Sequence, residues 1–574
     1  MRFIFLFVVI CPLILFGQNQ LFTEKDTITF SNRAGGKIDS LDMSYTNQLA
    51  TFSGGGLNCT NNVFTPQFFF QTTGLQNFRT IKPLKPMQFS GVPHIGFTYS
   101  FGSKGSQFLH FDYQQAFSKK VLLNVDGLRN SSNGFLRNSK FNDNVVNVQL
   151  RRCDKFYSLL LEGSYASKAI SLNGGITNDT FLTIQGLDFM PVAKNDAKNS
   201  IKMANVKLSH YFNLLKDSVN GFGLVIKNQY EATNRVYSET ADSVPNWNID
   251  SMKTRDQYRL ASIRNSAGIY YKQKRIYIDF LLQHRYWDYQ NITKHRDTNE
   301  INATSSLRFD TKQFSLKNEL TLNIIGAGGE WSNKSYLSTS FGKIDFSGTF
   351  QIEQKWPDAF QRFYFSNYYN YQLISYQLQT RVHTAATASY SFSSKHSIQL
   401  NYANTLLKNN YFFINNTWRN DTLDNVMLNS LSASGSFSFG IFTIQPKATL
   451  TVSTANFNYI PATTFNSRIF LKKRMFKAKK MEGIIGTDIS WISSYNLLSY
   501  NTPMDAFIFN STPQKFNSMT NLSAFVGFAI DEFRFYARVE NIGYIWNDRT
   551  NQVVVGYPIQ KNFIRLGITW DFFN

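Results

Sequence analysis

Ile344-Asp345-Phe346-Ser347-Gly348-Thr349-Phe350-Gln351-Ile352-Glu353 alternates without a break: every second residue is apolar or glycine, and every residue between is polar. Side chains along a β-strand point to opposite faces in turn, so this segment has one greasy face and one wettable face. The same pattern sets Val146, Val148 and Leu150 against Asn147, Gln149 and Arg151. It sets Phe533, Phe535, Ala537 and Val539 against Arg534, Tyr536, Arg538 and Glu540. It ends the chain, with Ile564, Leu566, Ile568, Trp570 and Phe572 against Arg565, Gly567, Thr569 and Asp571. A soluble sandwich alternates too, so the connections have to decide.

Those connections come in two kinds that take turns. Very short links stand at Ser118-Lys119, Cys153 to Lys155, Lys216 to Val219, Gln273-Lys274, Gly342-Lys343, Ser393 to Lys395 and Asp531-Glu532. Between them lie long polar stretches at 130–144, 167–201, 231–257, 289–300, 355–375, 406–425, 495–519 and 542–561. Tight turns on one side and long loops on the other are the arrangement of outer-membrane barrels, whose short turns are periplasmic and long loops extracellular. An opening strand near 94–101, a closing strand at 562–572 and the hairpins between predict an all-β, closed antiparallel transmembrane barrel over 94–574. The expected size is about 22 strands, within a range of 16 to 22. Closure leaves no unpaired sheet edge in lipid. Pro446, inside the alternating run Phe442 to Leu450, would remove a ladder hydrogen bond and predicts a bulge or a strand boundary there.

Composition agrees. Aromatic residues make up 16% of the 574, yet mean hydropathy is −0.28. A barrel with an aromatic exterior and a polar interior produces that mixture, because lipid serves as its apolar partner. Arg2 followed by the apolar run Phe3 to Phe16 and then Gly17 reads as a signal peptide over 1–17. No later run approaches the length of a helical span. Residues 18–93, with Gly54-Gly55-Gly56 and Phe68-Phe69-Phe70, do not read as paired strands. They are expected to form a periplasmic tail or a segment tucked into the lumen, and Cys59 and Cys153 could pair or stay as thiols.

The seven histidines are scattered without metal spacing, and no nucleotide loop or zinc signature is present, so neither an enzyme nor a cofactor is expected. The formal charge of +21 has two readings in an exported chain, neither of them nucleic-acid binding. External Lys and Arg can pair with lipopolysaccharide phosphates, or basic side chains can line the lumen and favour anions. Parity puts Arg151, Lys227, Arg285, Lys317, Arg534, Arg538 and Arg565 on the polar, lumen-facing side of their strands. Asp126, Glu162, Asp279, Glu319, Asp345 and Glu540 share that side and could form salt-bridge ladders with them.

Gly556-Tyr557-Pro558 followed by Phe563 to Asn574 resembles the closing strand of the Bacteroidota putative porin family. Asn173-Gly174-Gly175-Ile176, Trp356-Pro357 with Tyr364 to Tyr371, Asn401 to Phe412 and Tyr495 to Phe509 resemble further stretches of that family in order. Tyr369 or Tyr371 stands where the family usually has an indole. The resemblance implies an outer-membrane barrel of porin type and carries no catalytic residue. It also implies that Ile564, Leu566, Ile568, Trp570, Phe572 and Phe573 form the strand read by the barrel assembly machinery, although Asn574 follows the terminal aromatic. The expected function is passive diffusion of small hydrophilic solutes. The alternative is a surface-binding barrel whose aromatic loops, Phe360 to Tyr371 and Tyr411 to Trp418, grip a glycan or a partner lipoprotein. An energy-coupled transporter is disfavoured because residues 18–93 are few for a folded plug.

Overall fold

The computed structural model describes residues 93–573 except positions 119, 184–185, 216–220, 241–247, 294, 374, 415–416, 421–424, 455–456, 478–479 and 511. The segments 1–17 and 18–92, and with them Cys59, lie outside the described residues. Among the described residues no helix is long and apolar enough to cross a membrane.

One 22-stranded antiparallel sheet dominates. It begins with β1 (His94–Gly102), β2 (Ser106–Ser118), β3 (Val121–Ser132), β4 (Phe141–Cys153), β5 (Tyr157–Ser171), β6 (Lys198–Asn213), β7 (Gly221–Thr240) and β8 (Lys253–Gln273). It continues through β9 (Ile276–Asn291), β10 (His295–Asp310), β11 (Phe314–Ile325), β12 (Trp331–Phe341) and β13 (Ile344–Lys355). After a loop holding β14 (Phe363–Phe365) and β15 (Asn370–Gln372) come β16 (Gln379–Ser393) and β17 (His396–Lys408). A second loop holds β18 (Phe412–Ile414) and β19 (Thr417–Arg419), and the wall resumes with β20 (Asn425–Phe439), β21 (Phe442–Ser453), β22 (Thr463–Met475) and β23 (Met481–Ile492). The next loop carries β24 (Tyr495–Asn496), β25 (Ser499–Asn501), β26 (Ala506–Ile508) and β27 (Lys515–Phe516). Then follow β28 (Met519–Ile530), β29 (Phe533–Glu540), the loop strands β30 (Gln552–Val554) and β31 (Tyr557–Pro558), and β32 (Phe563–Phe573).

The last strand closes on the first, from His94 opposite Phe573 to Gly102 opposite Arg565. Ile564, Leu566, Ile568, Trp570 and Phe572 lie on one face of β32, and Phe573 is its final residue. Around the barrel the apolar parity is exposed: Phe280, Leu282, Leu431, Ile485, Val526 and Ile564 all point away from the protein. Covering such a surface with lipid instead of water is worth roughly 25 cal/mol per Å². Near the short-turn end aromatic rings meet on this outer face, as Trp570 with Phe572 at 4.4 Å and Tyr157 with Phe212 at 5.3 Å.

Both ends of the wall, His94 and Phe573, and the tight turns lie at one end of the barrel; the long loops lie at the other. Three expectations change. The stretch 231–257 is strand over much of its length, because β7 and β8 stay paired up to Thr240 opposite Lys253. The stretch 289–300 is a tall hairpin, because β9 and β10 stay paired up to Gln290 opposite His295. Pro446 marks neither a bulge nor a strand boundary, since β21 runs through it from Phe442 to Ser453. The ladder between β20 and β21 keeps one register on both sides of the proline and only omits the pairs next to it, from Ser434–Lys447 to Phe437–Ile444. The missing N–H thus costs local pairing without shifting the parity of the strand.

Candidate functional site

Tyr289 fixes which face is inward. It shares its parity on β9 with Asp279 and Arg285, it is fully buried, and its hydroxyl donates to the Phe363 carbonyl of a loop at 2.9 Å. The polar face is therefore the one over which the loops fold.

Most cations named from the sequence meet an acid on that face. Lys227 Nζ lies 3.8 Å from Asp279, and Arg285 lies 3.4 Å from Glu300. Arg534 lies 3.5 Å from Asp571, Arg538 reaches Asp488 at 2.5 Å, and Arg565 lies 3.3 Å from Glu540. Arg151 Nε instead donates to Cys153 Sγ at 3.0 Å. Lys317 sits 5.7 Å from the Tyr336 ring centroid. Asp126 meets His110 at 2.6 Å and Glu162 meets Lys207 at 3.0 Å, whereas Asp345 accepts from Ser340 at 2.6 Å. Buried charges persist only when paired in this way.

The wall is uneven. Asn147, Gln149, Arg534, Arg538 and Arg565 are buried, while Lys317, Glu319, Lys334 and Tyr336 on β11 and β12 are open to solvent. Lys207, Lys334, Lys447, Arg468 and Lys472, not singled out from the sequence, lie on the same inner face. The alternation that identified the others would have found them.

The loops do not stand out as separate fingers. They pack into a cap with its own apolar core, in which Phe412, Phe457, Leu498, Phe509, Phe516, Val554 and Tyr557 join inner-face residues such as Leu407 and Leu428. A second cluster joins Phe360, Phe363, Tyr364, Phe413 and Trp418 to Tyr258 and Tyr289 of the wall. Phe413 and Ile508 pair in parallel, linking the loops after β17 and β23 in one small four-stranded sheet. Burial pushes the Tyr364 phenol up to about 12, as a dry interior does. The rings of Phe360, Phe363, Tyr411, Phe412, Phe413 and Trp418 are thus cap core, neither a membrane-interface belt nor an outward-facing glycan surface.

One contact shows how far the cap reaches. Arg235 of β7 is fully buried; its Nη2 donates to the carbonyls of Pro503 at 2.6 Å and Thr502 at 3.4 Å, and its Nε donates to Asn199 at 2.9 Å. Thr502 and Pro503 belong to the loop after β23, which stands ten strands from β7 one way round the wall and twelve the other. That loop therefore crosses the barrel mouth. Beside it Asn367 donates from its backbone to Asp256 at 2.8 Å and from its side chain to Thr254 at 2.7 Å, pinning the loop after β13 to β8.

Most of the family-like stretches meet in this cap. The Ile176 N–H donates to the Gly556 carbonyl at 2.8 Å, so the Asn173–Ile176 turn lies on the Gly556–Pro558 turn. Gly175 and Gly556 have φ of +87° and +82°, and a Cβ on Gly175 would sit 3.1 Å from Gly556 Cα. Only glycine satisfies both demands. Trp356 Nε1 donates to the Gly328 carbonyl at 3.1 Å, so the Gly326 to Gly329 run is a rim turn that holds the start of the loop after β13.

A closed 22-stranded barrel with an apolar exterior and a charged, hydrogen-bonding inner wall is an outer-membrane barrel of the transport type. The chain belongs to the family described as "Putative porin", whose model matches residues 90–574. No curated protein matches it. Among solved structures it is similar to the copper transporter OprC, with 9% identity over 85% of this chain and 82% of that one, at a TM-score of 0.60. It is also similar to the siderophore receptor PirA from Acinetobacter baumannii, with 10% identity over 85% and 81%, at a TM-score of 0.57. The ferric enterobactin receptor PfeA from Pseudomonas aeruginosa matches with 11% identity over 85% and 82%, at a TM-score of 0.58. At such identities the likeness is one of fold.

Proposed function

We propose that this protein is a non-enzymatic outer-membrane channel through which small hydrophilic solutes diffuse without energy input, with a lean towards anions. The observation that carries the proposal is the solvent-open inner arc bearing Lys317, Glu319, Lys334 and Tyr336. Over that arc the connections are short: β9 and β10 are joined by 292–294, and β11 and β12 by 326–330. Solutes pass beside the cap along this arc, and the cap limits their size. The rest of the wall is stiffened by its ion pairs. On the outside, Arg129, Lys202, Arg255 and Arg259 are exposed on the outer parity at the loop end, where they would meet lipopolysaccharide phosphates. Ile564 to Phe573 would engage the assembly machinery.

Swelling of proteoliposomes in sugars of graded size tests the proposal. Swelling with small sugars that stops at a defined size supports it. Swelling no faster than protein-free vesicles at any size removes it.

A further inference from the structure

Beneath the cap lies a cavity of about 250 Å³ whose wall comes from β21, β22, β23, β28 and β29. Its chemistry is lopsided. Three cations, Lys447, Arg468 and Arg538, face two carboxylates, Asp488 and Glu540. Arg468 Nε lies 2.7 Å from Asp488, Arg538 reaches the other oxygen of the same carboxylate at 2.5 Å, and Arg538 Nε lies 3.6 Å from Glu540. The acids are thus already held by arginines. Lys447 is exposed, and among the described residues no ion pair or hydrogen bond engages it. On the same inner rungs stand neutral hydrogen-bonding side chains: Asn466 opposite Lys447, Ser490 opposite Asn466, and Asn521 opposite Ser490. Asn521 already donates to Asn541 at 2.6 Å and accepts from the Leu522 N–H at 2.9 Å, and keeps one N–H and one lone pair for a further partner. The ceiling is apolar, formed by Ile492, Met519 and Phe563 at the loop ends of β23, β28 and β32.

We infer that this cavity is a solute-binding subsite for a single-ring sugar acid. Its carboxylate would pair with Lys447, its hydroxyls with Asn466, Ser490 and Asn521, and the C–H face of its ring would lie against Phe563 and Met519. The size supports one ring, since the volume falls just under the roughly 300–1,000 Å³ of sites for drug-sized ligands. The charge count supports a monoanion, because the excess positive charge that solvent can reach is one ammonium. Gln445 lines this cavity and also a larger one of about 780 Å³ towards the tight-turn end, where Lys395, Lys472 and Arg474 outnumber Glu482. An anion leaving Lys447 therefore meets further cations rather than a barrier. The inference rests on the channel reading and names the solute class of its wall.

Isothermal titration calorimetry of the full-length protein in detergent, with D-glucuronate, D-glucose and propionate as probes, decides it. The expected result is glucuronate binding at least tenfold tighter than either single-feature probe. In Lys447→Gln its affinity falls to the level of glucose, and Lys447→Arg retains it. Equal affinities for the three probes, or glucuronate affinity unchanged in Lys447→Gln with the fold confirmed by heat-modifiable mobility, would overturn the inference. Bilayer currents from the same preparation keep the two proposals apart: a conducting protein without glucuronate preference loses the subsite and keeps the channel.

Discussion

The wall and the cap are built from one chain by opposite rules. In the wall each residue's environment is set by parity: Leu282 faces lipid and Gln283 faces the lumen, so one position changes the solvent completely. In the cap each residue's environment is set by contacts between distant segments, as when Arg235 donates to Pro503 or Phe413 pairs with Ile508. On its lipid face the wall asks mainly for the right polarity, whereas on the inner face glycines such as Gly567, packed under Tyr536, are fixed by space. The cap needs particular shapes. The comparison shows why a barrel can keep its architecture while its mouth becomes specific.

Five substitutions sharpen the contrast. Phe413→Ala empties a fully buried site in the cap and is expected to cost about 3–5 kcal/mol of cap stability. Hydrogen exchange across 409–420 and 493–518 should speed up while the wall amides stay protected. Exchange that rises equally in both regions would mean that the cap is no separate unit. Leu282→Arg puts a charge on the lipid face and should cost about 2–4 kcal/mol in refolding titrations into liposomes. Gln283→Arg, one residue along, should cost about 0.5 kcal/mol or less. Similar costs for the two would break the parity rule.

Arg235→Ala leaves the Thr502 and Pro503 carbonyls and Asn199 without their donor, at about 1–3 kcal/mol for each group left unsatisfied. Limited proteolysis should then cut within 493–518 in the variant and spare the wild type. The smallest effect concerns pH. Asp548, in the loop after β29, accepts from the Thr550 hydroxyl at 2.7 Å, the Thr550 N–H at 2.9 Å and Asn517 Nδ2 at 3.4 Å. The Thr550 hydroxyl first, then its N–H, hold the carboxyl below its ordinary 3.8. This tie is therefore complete above that value and is lost as pH falls through the lower, folded one. Protection in 541–562, measured against the intrinsic exchange rate at each pH, should fall at low pH in the wild type and show no such fall in Asp548→Asn.

The sequence makes the wall legible because its signal has period two and repeats in every strand. Ile344 to Glu353 alone announces a two-faced strand, and the short links place its neighbours. The stretch 289–300 misleads because a strand rising above the membrane is wet on both sides just as a loop is, here from Gln290 to Asn299, beyond the buried Tyr289 and Glu300. The cap is hidden for a different reason. Phe360 to Tyr371 reads as aromatic, but whether aromatic rings turn outward to a ligand or inward to each other depends on partners more than 40 residues away, such as Trp418 and Tyr289. The cations of the inner wall follow from parity, while their pairing, as of Arg538 with Asp488, needs the register of strands that are not neighbours in the sequence.

The central claim is a hydrated passage that runs past a packed cap. Single-channel recording in planar bilayers of the wild type beside Arg235→Ala tests it most directly. The account predicts discrete current steps in the wild type and larger steps in the variant, whose cap has lost its anchor on the far wall. Silence in both proteins, each shown to be folded by its shift in mobility on heating, would contradict it.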